Sequence, residues 1–200
     1  MILRNSILII IFMLAASSLA QDNGDNQSKT VNKKATNQTV SENTSIKWYT
    51  FEEAIKLNEG FPKKKIFIDM YTDWCGWCKK MDAVTFKHPE IVKYLNEHYW
   101  AVKFDAEGFD TIVYNGVKYV NPKPPGTKRS THQLAITLLS RQMTYPSYVF
   151  LNENNQLLTV VKGYIKPKSF EPVVHYFGDN SHFSKSWEEF TKTFVGVISD

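Results

Sequence analysis

The sequence predicts an α/β domain with a central mixed sheet flanked by helices, and three observations carry this prediction. Residues 65–71 (KIFIDMY) and 100–106 (WAVKFDA) are apolar runs rich in β-branched and aromatic residues, as in strands covered on both faces. Helical sequence lies between them, and a strand, a helix and a strand in this order form a right-handed parallel unit. Residues 144–164 (TYPSYVFLNENNQLLTVVKGY) indicate two further strands around an Asn-Asn turn.

The first twenty residues, MILRNSILIIIFMLAASSLA, have the layout of a secretory signal peptide. One arginine precedes an apolar run, and Ser18 and Ala20 are small residues at the −3 and −1 positions of a cut after Ala20. The alternative is an uncleaved anchor, but the apolar run is short for a membrane span. We therefore expect a periplasmic or secreted protein with no stable membrane insertion after cleavage.

The segment 21–45 is rich in Asn, Gln, Ser and Thr, and it contains no aromatic residue and only two valines. Such a composition cannot bury enough apolar surface to fold, so we interpret it as a flexible polar leader. Residues 46–200 are long enough for one well-cored domain. The net charge of +4 for the whole chain is small and gives no reason to propose a nucleic-acid partner.

Helix signals mark the first half of the domain. Thr50 and Glu53 have the spacing of a capping box, and Gly60 is expected to end that first helix. A second helix is expected to continue from residue 78 through CKKMDAVTF. Pro89 is placed to begin the next one, PEIVKYLNEHY, because proline is tolerated in the first turn.

Residues 106–145 form a long insert between the second strand and the later strands. Asn115-Gly116 predicts a two-residue hairpin turn, and NPKPPGTKRS (121–130) predicts an exposed loop. Ser130 and Gln133 are expected to cap a helix, THQLAITLLSRQ. Two helices are expected to close the chain: SFEPVVHYFG, with Pro172 near its first turn, and SWEEFTKTFVG, capped by Ser186 with Glu189.

The chain has two cysteines, Cys75 and Cys78, in the sequence DWCGWCKK. A structural bridge between them would close a very short loop and add little stability. A zinc site would need two more ligands, and the five histidines contain no H-x3-5-H pair, so no metal is expected. The remaining alternative is a reactive dithiol. At a helix N-terminus the first sulfur is stabilised as a thiolate and attacks, whereas Cys78, one turn further in and more buried, resolves the mixed disulfide.

The run FIDMYTDWCGWCKKM (67–81) resembles thioredoxin-fold proteins, which carry a W-C-x-x-C-K motif at the end of a strand. The likeness extends to the periplasmic thioredoxin-like domain at the C-terminus of the transmembrane disulfide-relay reductase, which shares D-x-Y-x-D-W-C-x-x-C-K and a continuation similar to TFKHPEIVKYL. Small secreted thioredoxin-like proteins with a long insert before the proline loop are also similar. The resemblance covers about residues 46–178 and implies a thioredoxin fold with a hairpin-plus-helix insert before a cis-proline loop.

The resemblance implies roles for two charged residues in the strands. Asp69 matches the buried carboxylate behind the second cysteine, which takes and returns the proton of Cys78. The alternative is a strand-end aspartate facing water. Lys103 matches the lysine that accompanies this carboxylate in thioredoxins, but it is also compatible with a strand edge.

A substrate-binding surface follows from the same resemblance. Tyr145-Pro146 resembles the cis-proline loop that pairs with the substrate backbone, the alternative being a trans proline that begins an edge strand. Gly163 resembles the glycine that lets the substrate approach, or is a simple turn glycine. Trp74 matches the tryptophan beside the active site. Gly76-Trp77 differs from the dipeptides of thioredoxin and of the dedicated oxidases and isomerases, with Trp77 expected to be exposed.

These observations lead to the expectation of a thiol-disulfide oxidoreductase that acts on protein disulfides in the cell envelope as a reductant or isomerase, without a cofactor. Its partners would be the thiols and disulfides of exported proteins and a redox partner that recharges the dithiol. The alternative is a non-catalytic thioredoxin-fold binding module, with Trp77, Tyr145 and the insert as its adhesive surface.

Overall fold

The computed structural model describes residues 44–199. The predicted signal peptide and nearly all of the polar leader lie outside the described residues. Five strands form one mixed sheet in the order β1-β3-β2-β6-β7, which confirms the predicted architecture. The strands of this sheet are β1 (Trp48–Tyr49), β2 (Lys65–Tyr71), β3 (Tyr99–Asp105), β6 (Ser147–Leu151) and β7 (Leu157–Lys162).

The central strand β2 is parallel to β3 and antiparallel to β6, and β6 is antiparallel to β7. The strands of the predicted strand–helix–strand unit are therefore a parallel pair, and the Asn-Asn turn joins an antiparallel pair. The insert adds a separate two-stranded hairpin, β4 (Ile112–Tyr114) and β5 (Val117–Tyr119). At its turn Asn115 and Gly116 have φ angles of 51° and 74°, the left-handed backbone that an Asn-Gly turn requires.

The described part of the chain has six α-helices, and several begin where the sequence predicts. Capping boxes are formed by Thr50 with Glu53 and by Ser186 with Glu189, and Pro89 begins the third helix. The helices are α1 (Phe51–Leu57), α2 (Gly76–Ala83), α3 (Pro89–His98), α4 (Gln133–Leu138), α5 (Pro167–Gly178) and α6 (Trp187–Thr193). Among residues 44–199 no helix combines the length and apolar character needed to cross a membrane.

Several predicted helix boundaries are wrong, and the ends of α2, α4 and α6 all come earlier than predicted. Helix α1 ends at Leu57 rather than at Gly60, because the side chain of Asn58 leaves the helix to bind both the backbone N–H and the carbonyl of Lys64. Helix α4 is capped by His132, whose Nδ1 accepts the N–H of Leu134, and not by Ser130. Pro172 lies inside α5, because that helix begins five residues earlier at a different proline.

Both faces of the sheet are covered. On one face Phe67 and Tyr148 pack under α2, α3 and α5, and on the other Ile66 and Ile68 pack against α1 and α4. Side chains alternate between faces along a strand, so Asp69 lies on the same face as Phe67, beneath the helix that carries the cysteines. This placement decides the environment of its carboxylate.

Candidate active site

The two cysteines lie at the start of α2, just after the connection from β2. Cys75 is the N-cap residue of α2, and its Sγ accepts the backbone N–H of Cys78 at 3.0 Å. The two sulfurs form a disulfide with an S–S distance of 2.07 Å. The first backbone N–H groups of a helix have no partner within the helix, so they stabilise a thiolate at the position of Cys75 once the disulfide is reduced.

The burial of the two cysteines follows the predicted order, but the difference is small. Cys78 is the more buried residue, with an exposed fraction of 2% against 4% for Cys75. Both residues are therefore buried in the disulfide form, and exposure does not separate an attacking from a resolving sulfur. The contact between Cys75 Sγ and a helix N–H is what distinguishes them.

Asp69 is completely buried within β2, which is contrary to an aspartate that faces water. Its Oδ2 accepts a hydrogen bond from Lys103 Nζ at 2.6 Å, whereas its Oδ1 has no partner among the described residues. Burial raises the pKa of Asp69 from 3.8 to about 6, and the charge of Lys103 keeps the pKa from rising further. A carboxylate with this pKa and a free oxygen is able to exchange a proton near neutral pH.

Lys103 reaches Asp69 because the two residues are paired across the parallel strands β2 and β3. Its ammonium group also contacts the carboxylate of Asp82 and lies 4.9 Å from the centre of the Tyr71 ring. Burial alone would lower the pKa of Lys103, but the two carboxylates outweigh it and raise the pKa. Lys103 is therefore a fixed cation between a buried and a partly exposed carboxylate.

Sequence reasoning missed Asp82. Its position four residues after Cys78 was a usable signal, since residues at this spacing share one face of a helix. Asp82, Lys103, Trp48 and Phe86 line a surface cleft of about 380 Å³. The cleft gives solvent access to the Lys103–Asp82 pair, although Asp69 itself is sealed off.

A second buried oxygen lies beside the carboxylate. Tyr148 on β6 is directly paired with Asp69 on β2, and both side chains lie on the same face of the sheet. The Tyr148 hydroxyl has no hydrogen-bond partner among the described residues. Burial, together with the charge of Asp69, raises the pKa of Tyr148 above its ordinary value, so the phenol stays neutral.

The proline loop lies at the same end of the sheet as the cysteines. The Tyr145–Pro146 peptide bond is cis, and the pairing of Met70 with Ser147 places this loop beside the end of β2. The carbonyl of Pro146 accepts the N–H of Gly163 at 2.9 Å. Gly163 has a φ of 87°, so this turn itself favours glycine.

Each of the two tryptophans that precede a cysteine in the chain pairs with a tyrosine. Trp74 is 56% exposed, its indole N–H donates to Glu107 at 3.1 Å, and its ring meets the edge of Tyr145. Trp77 is 61% exposed, as predicted, and stacks on Tyr164 with 5.3 Å between ring centres. Glu107 and Tyr164 had not been singled out, because their sequence neighbourhoods do not indicate the partners that the fold brings to them.

The structure thus brings together every predicted site residue at one end of the sheet or immediately beneath it. Gly76 is the first residue of α2, and a side chain added there would meet no atom within 4 Å. Within residues 44–199 there is no group of three or more His, Cys, Asp or Glu side chains arranged to hold a metal ion.

A family model described as a thioredoxin-like domain matches residues 51–178. No curated protein matches the chain.

Solved structures with similar folds include a thioredoxin-fold protein from Helicobacter pylori, at 15% identity and a TM-score of 0.48, covering 65% of this chain and 79% of that one. A thioredoxin from Thermus thermophilus has the same identity and TM-score and covers 66% and 87% of the two chains. The oxidised C-terminal domain of DsbD from Neisseria meningitidis has 18% identity, a TM-score of 0.40 and coverages of 67% and 99%. Identities this low do not transfer an activity from one protein to another.

Proposed function

The chain belongs to the family of thioredoxin-like domains, and from this premise we propose that it is a thiol-disulfide oxidoreductase that reduces or isomerises disulfides of exported proteins. The observation that carries the proposal is the placement of a two-cysteine disulfide at the N-terminus of α2, the helix that packs on the sheet face to which a buried carboxylate of raised pKa belongs. A bridge that closes so short a loop adds little stability, which favours a redox role over a structural one.

The reaction begins from the reduced protein. The Cys75 thiolate attacks one sulfur of a partner disulfide, so that a Cys75–partner bond forms and the other partner sulfur leaves as a thiolate. Cys78 then loses its proton and attacks the Cys75 sulfur. The Cys75–Cys78 disulfide forms and the second partner sulfur leaves as a thiolate. Two electrons thus pass to the partner, whose thiolates take protons from solvent, while the proton of Cys78 stays on the protein. A reduced dithiol on a second redox partner must later restore the starting state.

Asp69 accepts the proton of Cys78 in this scheme. A pKa of about 6 makes the buried carboxylate a base that is ionised near neutral pH and yet basic enough to take a thiol proton. Its Oδ1 has no partner among residues 44–199, so this oxygen is available to the proton. Lys103 keeps Asp69 ionised at neutral pH by opposing the effect of burial.

Substrate binding is assigned to the surface around the disulfide. The Tyr145-Pro146 loop would pair with an extended segment of the partner through the backbone of Tyr145, because Pro146 has no N–H and its carbonyl already accepts the N–H of Gly163. Gly163 would let this segment approach, and Trp74 and Tyr145 would line one side of the cysteines. Gly76 and Trp77, between the two cysteines, would lie under the partner. The wide exposure of both indoles supports this assignment, because large exposed apolar side chains mark interaction sites.

The compartment and the domain limits are also proposals. The signal-like sequence of residues 1–20 supports export to the periplasm or beyond, followed by a leader at 21–45 and one domain at 46–200. An exported site would meet disulfides of other exported proteins, which are stable only in oxidising compartments.

Insulin reduction with dithiothreitol as electron donor tests the proposed function. Wild-type protein should accelerate precipitation of the insulin B chain, and Cys75→Ser should not. Lys192→Ser, on the exposed side of α6, serves as the control and should behave as wild type. If wild type and Cys75→Ser give the same rate, the fold acts here as a non-catalytic binding module.

A further inference from the structure

The proline-rich loop of the insert, residues 121–130, is tied down at its base. The side-chain amide of Asn121 donates to three carbonyl oxygens, those of Glu107, Gly108 and Ser130, at 2.7–3.1 Å. The hydroxyl of Ser130 donates back to the Asn121 side chain. These contacts fix both ends of the loop to the segment that follows β3, so the loop emerges at a defined place.

This anchoring brings a cation to the rim of the active site. The Arg129 guanidinium lies 5.8 Å from the centre of the Trp74 ring, a distance at which a cation is attracted to an aromatic face. Trp74 is the residue before Cys75 and is itself held by Glu107 and Tyr145. Arg129 therefore lies against the side chain of the residue that precedes the attacking cysteine.

Among residues 44–199 no Asp or Glu oxygen forms an ion pair with Arg129, and its side chain is exposed. Residues 121–130 also include the exposed Lys123 and Lys128 and contain no acidic residue. A guanidinium has a planar fork of donors, and one that is not paired with a carboxylate among the described residues is suited to bind a carboxylate from another molecule.

We propose that Arg129 and Lys128 select protein partners that carry acidic side chains next to the disulfide to be reduced. The inference rests on the proposed oxidoreductase function and assigns its substrate class. The partner's cysteine would lie over Cys75 while its neighbouring carboxylate contacts the guanidinium above Trp74. Electrostatic contacts at a rim act mainly on association and on the choice of partner, so the effect should appear in kcat/KM.

A competing explanation comes from the acidic residues at this end of the sheet. Burial raises the pKa of Asp105, and the nearby charges of Asp73, Glu107 and Asp110 raise it further. The basic loop would then serve only to offset these charges within the molecule. In that case a change of loop charge would alter stability without altering the choice of substrate.

Two synthetic peptides distinguish these explanations. Each contains the same disulfide, flanked by glutamates in one and by lysines in the other, and kcat/KM is measured for both with wild type in low salt. We expect the acidic peptide to be reduced about two- to fivefold faster, the range that exposed ion pairs give. At about 0.5 M NaCl the ratio should approach one, since salt screens exposed charges. Equal rates for both peptides in low salt would overturn the proposal.

Variants of Lys128 and Arg129 then test whether these two residues cause the preference for the acidic peptide. Lys128→Glu/Arg129→Glu should invert the ratio, and Lys128→Gln/Arg129→Gln should bring it close to one, even if overall activity falls. The control Lys56→Glu/Lys192→Glu changes net charge equally at exposed positions on α1 and α6 and should keep the wild-type ratio. An unchanged ratio in the loop variants, with only an altered melting temperature, would favour the competing explanation. The reduction of hydroxyethyl disulfide is measured alongside. If the wild-type protein does not reduce it, the proposed oxidoreductase function itself is contradicted.

Discussion

Lys103 Nζ lies 2.6 Å from Asp69 Oδ2, and this ion pair connects the buried face of the sheet to the surface cleft beneath α2. Asp69 contributes a fully buried carboxylate, and the ammonium group of Lys103 also forms an ion pair with Asp82, which is partly exposed. The pair therefore determines both the basicity of Asp69 and the cost of keeping it charged. Two predictions follow from this relationship.

The first prediction concerns stability. The pKa of Asp69 is raised in the folded protein, so the fold favours its protonated form, and that favourable contribution is lost as the pH rises from about 4 to about 6. Asp69→Asn mimics the protonated form. Its free energy of unfolding relative to wild type should therefore increase with pH across this window by up to about 3 kcal/mol. Urea denaturation of the oxidised proteins at about pH 3.5, 5 and 8 measures the difference. A difference that does not vary with pH would contradict the raised pKa.

The second prediction concerns the resolving step. Lys103→Met removes the charge that opposes burial, so the pKa of Asp69 should rise by about 1 or more. If Asp69 accepts the Cys78 proton, the inflection in the rate of mixed-disulfide resolution against pH should move upward from about 6 in the same way. Stopped-flow tryptophan fluorescence follows this step. Lys87→Met removes a cation from the same cleft without touching Asp69 and should leave the inflection in place.

A third prediction concerns the attacking sulfur. In the reduced protein Cys75 should remain at the helix N-terminus, where its sulfur meets the N–H of Cys78, and its pKa should fall below that of an ordinary thiol. Iodoacetamide should therefore label Cys75 at about pH 6. The Cys75→Ser variant, which retains Cys78, should label only at higher pH. Labelling of both proteins with one common pH dependence would argue against a thiolate stabilised by the helix.

The sequence was informative wherever a local pattern determines the local structure. The two-cysteine motif, the apolar strands and the capping boxes at Thr50 and Ser186 rely on neighbours within a few residues, and the structure has them as predicted. Contacts between segments that are distant in the chain could not be predicted from such local patterns. Glu107 lies 33 residues from Trp74 in the chain, and only the path of the insert brings its carboxylate to the indole. The sequence predicts Ser130 as a helix cap because serine commonly caps a nearby helix, yet its hydroxyl donates to the side chain of Asn121 instead.

The last prediction concerns Glu171, a buried carboxylate that has no part in the proposed chemistry. Its two oxygens accept the backbone N–H groups of Val197 at 2.7 Å and Ile198 at 3.1 Å, and Ile198 is buried in the core beside α5. The carboxylate therefore holds the C-terminal segment against the domain. Glu171→Gln would direct an amide N–H₂ group at one of these N–H donors and leave that donor unpaired.

A buried donor without a hydrogen-bond partner costs about 1–3 kcal/mol, so Glu171→Gln should lower the free energy of unfolding by this amount. Glu188→Gln changes the same charge at an exposed position on α6 and should cost much less. Limited proteolysis provides a second readout, since the C-terminal segment of Glu171→Gln should be cleaved faster than that of wild type. Insulin reduction should fall only in proportion to the unfolded fraction, because Glu171 lies in α5 and not among the residues around the disulfide. Equal unfolding free energies for Glu171→Gln and Glu188→Gln would show that the two hydrogen bonds do not hold the segment in place.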